Sequence, residues 1–89
     1  GILSAENLGI RIFPNPADKQ IQIDATNFNH NLISIDITDI NGKSIISKQL
    51  GNSLNQTQTI DVSTLSAGSY IIILNSEKGR IIERISIIR

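Results

Sequence analysis

Apolar residues recur at every second position through most of this chain, and the alternation breaks at clusters of proline, glycine, asparagine and serine. Ile10 and Ile12 alternate with Arg11 before Pro14-Asn15-Pro16 ends the run, because proline has no N–H to give to a strand ladder. A first strand is expected over residues 9–13. Residues 19–25 place Ile21 and Ile23 on one face and Gln20, Gln22 and Asp24 on the other, a half-buried second strand. Residues 26–31 hold three asparagines and the only histidine and read as a loop. In residues 32–40 Ile33, Ile35 and Ile37 alternate with Ser34, Asp36 and Thr38, the clearest strand of all.

Residues 39–43, Asp-Ile-Asn-Gly-Lys, fit a three-residue hairpin loop in which Gly42 takes positive φ as a bulge residue. Asp39 then accepts from a turn N–H. A two-residue Asn-Gly turn would pair Ile40 with Lys43 and break the alternation that Ile37 and Asp39 set. A fourth strand follows over 43–50, a polar connection over 51–55 and a fifth strand over 56–62. Residues 63–68 form a compact corner that tucks Leu65 inward, with Gly68 supplying backbone freedom at its end. The sixth strand, 69–75, carries the unbroken run Tyr70-Ile71-Ile72-Ile73-Leu74, which requires burial on both faces and a central place in its sheet. Residues 76–79, ending at Gly79, turn the chain into a seventh strand over 80–89.

Seven short strands with turns every eight to twelve residues predict an all-β domain, a two-sheet antiparallel sandwich of immunoglobulin-like architecture. It has no disulfide and no core tryptophan, so isoleucine must fill the core, with Phe13, Leu65 and Tyr70 as the larger side chains. Residues 1–8 lack a clear period and read as a linker ahead of a single domain over 9–89. No internal repeat is present.

Composition sharpens this picture. Isoleucine occurs 20 times in 89 residues, against 7 leucines, 4 alanines and 1 valine, a β-branched excess that favours strands over helices. The formal charge is zero, and phosphate binding needs a clear basic excess, so a nucleic-acid partner is not expected. With no cysteine, disulfide frameworks and thiolate metal sites are excluded. The longest apolar run is too short to span a bilayer, and residues 1–20 lack the basic start and apolar core of a secretory leader. Three aromatic residues are too few for a stacking platform.

Candidate chemistry is sparse. His30 has neither a cysteine nor a nucleophile-elbow serine to partner it, and a solvated loop histidine is the better reading. Asp36 and Asp39 lie three apart and so face opposite sides of a strand. Residues 39–42 echo the tail of a calcium loop, but Ile37 stands where the first ligand belongs and Lys48 where the closing glutamate belongs. A turn aspartate is the simpler reading, and no metal or cofactor is expected. Asn55-Gln56-Thr57 is a formal glycosylation sequon, a pattern that often arises by chance. Charge is uneven along the chain: residues 1–79 hold 5 basic and 7 acidic groups, whereas residues 80–89 hold Arg80, Arg84 and Arg89 against Glu83. The simpler explanation is that charges on an edge strand discourage aggregation. The alternative is a strand read by a receptor.

Several separate segments match one family. Residues 9–16, Gly-Ile-Arg-Ile-Phe-Pro-Asn-Pro, resemble the opening of the C-terminal sorting domains of the type IX (Por) secretion system of Bacteroidota. Residues 35–43, with Asp39, Gly42 and Lys43, are similar to that family's hairpin signature, with Thr38 where tyrosine is common. Residues 60–70, Ile-Asp-Val-Ser-Thr-Leu-Ser-Ala-Gly-Ser-Tyr, are similar to its third. The apolar strand, the turn at Gly79 and a basic last strand, here with arginine in place of the usual lysines, complete the order.

The resemblance implies a sorting domain at the end of a larger secreted cargo protein that carries its own signal peptide. The module would be read by the type IX machinery and its outer-membrane shuttle while passing through the periplasm. A surface sortase would then remove it, leaving the cargo at the cell surface or secreted. Residues 1–8 would hold or adjoin the cleavage region. Pro14, Asn15, Pro16, Lys43, Arg84 and Arg89 are the recognition candidates, while Asp39, Gly42, Gly68 and Gly79 define turns. The resemblance implies no enzymatic activity. A carbohydrate-binding or adhesion module and a non-catalytic accessory domain are the competing readings.

Overall fold

A computed structural model describes residues 2–51 and 57–89. The strands among them are β1 (Ile2–Leu3), β2 (Arg11–Phe13), β3 (Gln20–Asp24), β4 (Leu32–Thr38), β5 (Ser44–Gln49), β6 (Thr57–Asp61), β7 (Gly68–Ser76) and β8 (Arg80–Ile87). The seven expected strands are β2 to β8. Most of the expected connection at 51–55, the first residue of the expected fifth strand and most of the sequon at 55–57 lie outside the described residues.

The strands form a five-stranded sheet in the order β1-β8-β7-β4-β5 and a three-stranded sheet in the order β2-β3-β6. Pairings among β2 to β8 are antiparallel. The addition is β1, which runs parallel to β8 with Ile2 beside Arg80 and Leu3 beside Ile81. A short 3-10 turn, Glu6–Leu8, follows it, and Ala5 is buried in the core. Two strand residues carry no periodicity, so the sequence pattern contained no sign of β1.

One cluster of buried side chains joins the two sheets. The alternation in β3 holds, with Ile21 and Ile23 fully buried. In β4 it holds only over residues 35–37, and Thr38 at its end is buried as well. Leu32 pairs with Ser76 and Ser34 with Asn75, so Ile33 is an extra residue in the ladder. The bulge reverses the facing of what precedes it: Leu32 is buried, and Ile33, expected on the core face, is 46% exposed. The aromatic filler also differs from expectation. Phe28, placed by its polar neighbours in a loop, is the largest fully buried side chain, while Phe13 is only half-buried. The Phe28 N–H donates to the Ala25 carbonyl at 3.0 Å, a turn that aims the ring inward while Asn27 and Asn29 stay in solvent.

Strand β7 is the middle strand of the larger sheet, as its unbroken apolar run requires. Tyr70, Ile72 and Leu74 face the core, and Ile71 and Ile73 are half-buried on the opposite face. Register brings Thr38, Ile71 and Arg84 into one row and Gly68 beside Ile87. The end of β4, the start of β7 and the end of β8 therefore share one end of the domain.

Candidate functional site

The outward edge of β8 is closed by the proline-rich segment that precedes β3. Pro14 and Pro16 have no N–H, so the backbone of this segment cannot make a regular ladder. The side chain of Asn15 takes over, because a carboxamide offers the same donor and acceptor as a peptide group. Its Nδ2 donates to the Arg84 carbonyl at 3.2 Å and its Oδ1 accepts from the Ser86 N–H at 2.9 Å. Ala17 continues the pairing, donating to the Ser86 carbonyl and accepting from the Ile88 N–H, both at 2.8 Å. Four backbone groups of the edge are satisfied by two residues. Asn15→Ala is expected to lower stability by about 1–2 kcal/mol, since it strips two edge groups of partners. Denaturant titration checks this, and a wild-type midpoint would contradict it.

Arg89 fastens the end of the same strand. Its Nη2 donates to the carbonyls of Val62 and Leu65, both at 2.7 Å, and its Nε donates to Leu65 at 3.1 Å. Nη1 donates to the Ile88 carbonyl, the Asp18 carbonyl and the Asp18 carboxylate, the last at 2.8 Å. Asp18 is 61% exposed, so its ion pair with Arg89 contributes little. The carbonyls of the 62–65 corner are the stronger anchors, because a charged donor strengthens each bond. Within that corner the Leu65 N–H donates to the Val62 carbonyl, and the Tyr70 hydroxyl donates to the Ser66 carbonyl at 2.7 Å.

The hairpin at 39–43 has the expected geometry. Gly42 has φ 90°, the Asp39 N–H donates to the Lys43 carbonyl, and Asp39 Oδ1 accepts from the Asn41 and Lys43 N–H groups at 2.9 Å each. Thus Asp39 and Gly42 shape the turn that holds Lys43. Gly68, with φ 152°, opens β7 and has open space where a Cβ would stand.

Pro14, Asn15, Pro16 and Arg89 gather along the edge of β8, where Arg84 offers its backbone carbonyl to Asn15 while its side chain leaves on the face of the sheet. Lys43 lies at the same end but across the sheet, about 14 Å away by strand spacing. Gly79 closes the β7 to β8 turn at the opposite end, where its N–H and carbonyl bond Ser76. Sequence reasoning missed Ala17, Asp18 and the pairing role of Asn15. The signal available was an asparagine between two residues that cannot donate.

Two carboxylates, one half-buried and one exposed, cap the ends of the smaller sheet. The Thr26 N–H and hydroxyl hold Asp24 below the usual carboxylate range, and the Ser63 hydroxyl and N–H do the same for Asp61. A folded pKa below the unfolded value adds stability that is present above the unfolded pKa and lost as pH falls through the folded one. Melting temperature is therefore expected to fall on acidification below about pH 4. An Asp24→Asn/Asp61→Asn double variant should show a shallower acid limb in thermal melts. An identical limb would contradict the assignment.

Phe28 and Tyr70 are buried and Phe13 lies under the Arg11 guanidinium, 4.9 Å from its ring centroid, so the domain presents no aromatic row of the kind that stacks on sugars. No group of three or more histidine, aspartate or glutamate side chains gathers among the described residues. None of the described helices is long and apolar enough to cross a membrane.

A family model described as the secretion system C-terminal sorting domain matches residues 11–88. Among curated proteins no match was found.

Proposed function

The chain belongs to the secretion system C-terminal sorting domain family, and we propose from this that its folded module is the address by which a larger, N-terminally fused cargo crosses the outer membrane. Membership implies a type IX sorting signal, with export to the cell surface or secretion, and the family is not catalytic. The match over residues 11–88 carries the reading.

On this reading the domain passes through the periplasm, is read by the outer-membrane shuttle, and is removed by the surface sortase at or near residues 1–8. Its architecture is immunoglobulin-like. Support comes from the division of β2 to β8 into three and four strands and from the Tyr70 hydroxyl bonded four residues upstream, the arrangement of a tyrosine corner. Arg84 and Lys43 are direct contact candidates, because their side chains are not used internally. Pro14, Asn15, Pro16 and Arg89 act by holding β8 in place.

The test fuses residues 1–89 to a reporter with a signal peptide in a host with type IX machinery. Reporter at the surface or in the medium is expected, and retention in the periplasm would contradict the proposal.

A further inference from the structure

Arg80 and Arg84 are exposed, and the one ion pair among the described residues is that of Arg89 with Asp18. In β8, Ile81, Ile85 and Ile87 are buried in the core, so Arg80, Ile82 and Arg84 project from the opposite face. Register extends that face across the sheet. Arg84 stands beside Ile71 and Thr38, Ile82 beside Ile73 and Asp36, and Arg80 beside Asn75 and Ser34. A half-buried apolar centre of Ile71, Ile73 and Ile82 thus has arginines on one side and the half-buried Asn75 and Asp36 on the other, with Ser34 and Thr38 buried beneath. Asp36 is the one carboxylate in these rows. It accepts from Asn75 Nδ2 at 3.3 Å, which also donates to Ser34 Oγ at 2.9 Å.

Charges on an exposed strand edge are explained by protection against aggregation, the simpler reading of this basic strand. Its premise fails here, because the edge of β8 is covered by β1 at Arg80 and Ile81 and by Asn15 and Ala17 from Arg84 to Ile88. The two arginines stand on the face of the sheet. We infer that this face docks a protein partner that presents carboxylates on either side of an apolar side chain. An apolar centre with a charged rim is the anatomy of a protein interface. Cations about 13 Å apart, flanking Ile82, call for acidic groups at matching spacing. The tethered Asp36 carboxylate works against a uniform sheet of lipid phosphates, which would meet it along with the arginines.

The inference rests on the sorting reading for its setting, and the test separates the two. Photoreactive benzoylphenylalanine replaces Ile73 in the reporter fusion, with a control at Gln22 on the other sheet. Irradiation should give a protease-sensitive adduct from position 73 and none from position 22. Arg80→Glu/Arg84→Glu should reduce its yield on the order of ten-fold with no change in melting temperature. No adduct, a protease-resistant lipopolysaccharide adduct, or a yield indifferent to charge reversal would overturn the inference, even where the unmodified fusion is secreted. Retention of the unmodified fusion in the periplasm would instead overturn the sorting reading.

Discussion

Replacing Phe28 with alanine is expected to destabilise the domain by about 3–5 kcal/mol, the range for truncating a buried phenylalanine. The ring is 1% exposed, and its loop is held from outside by one turn bond to Ala25 and by a tilted contact with the His30 ring at 5.5 Å. Nothing in that loop can collapse into the space without dragging Asn27 and Asn29 out of water. Domains of this size have about 5–15 kcal/mol in total, so the variant should melt at least ~12 °C lower. Phe13→Ala should lose far less, because that ring is half-buried at a sheet edge. Equal losses in the two variants would contradict the core assignment.

Arg89→Ala carries the second large expectation, about 2–3 kcal/mol, from leaving the Val62 and Leu65 carbonyls without their charged donor. Arg89→Lys should recover only part, since an ammonium cannot reproduce the planar fork that reaches both carbonyls. Arg84→Ala should change stability by less than ~0.5 kcal/mol, because its side chain is exposed and makes no internal bond. Denaturant titration of the three variants separates the arginine that anchors the last strand from the one available to a partner. A wild-type midpoint for Arg89→Ala would contradict the anchoring role.

Much of this was legible because isoleucine alternates so regularly. The periods of β3 and β7 and the Gly42 hairpin are local properties, set by side-chain facing and by the one residue type that takes positive φ easily. The type IX resemblance was equally local, carried by three short segments in order. What escaped the sequence was non-local or parity-breaking. The bulge at Ile33 reverses facing without changing composition. Phe28 looked polar because its neighbours are, yet a single turn sends it inward. Asn15 and Arg89 read as free signal residues, but Asn15 bonds groups 69 and 71 positions away in the chain and Arg89 bonds groups 24, 27 and 71 positions away. No window along the sequence contains those bonds.

On the proposed sorting reading, the address that the folded module carries includes the last strand as the fold holds it, and foldedness alone is not enough. Reporter fusions carrying Asn15→Ala with Arg89→Ala can be compared with fusions carrying a core truncation, such as Ile72→Ala, selected for the same melting temperature. The measurement is the ratio of secreted to periplasmic reporter. The released-strand fusion should stay in the periplasm while the core-truncated one is still secreted. Equal ratios at equal stability would contradict the claim.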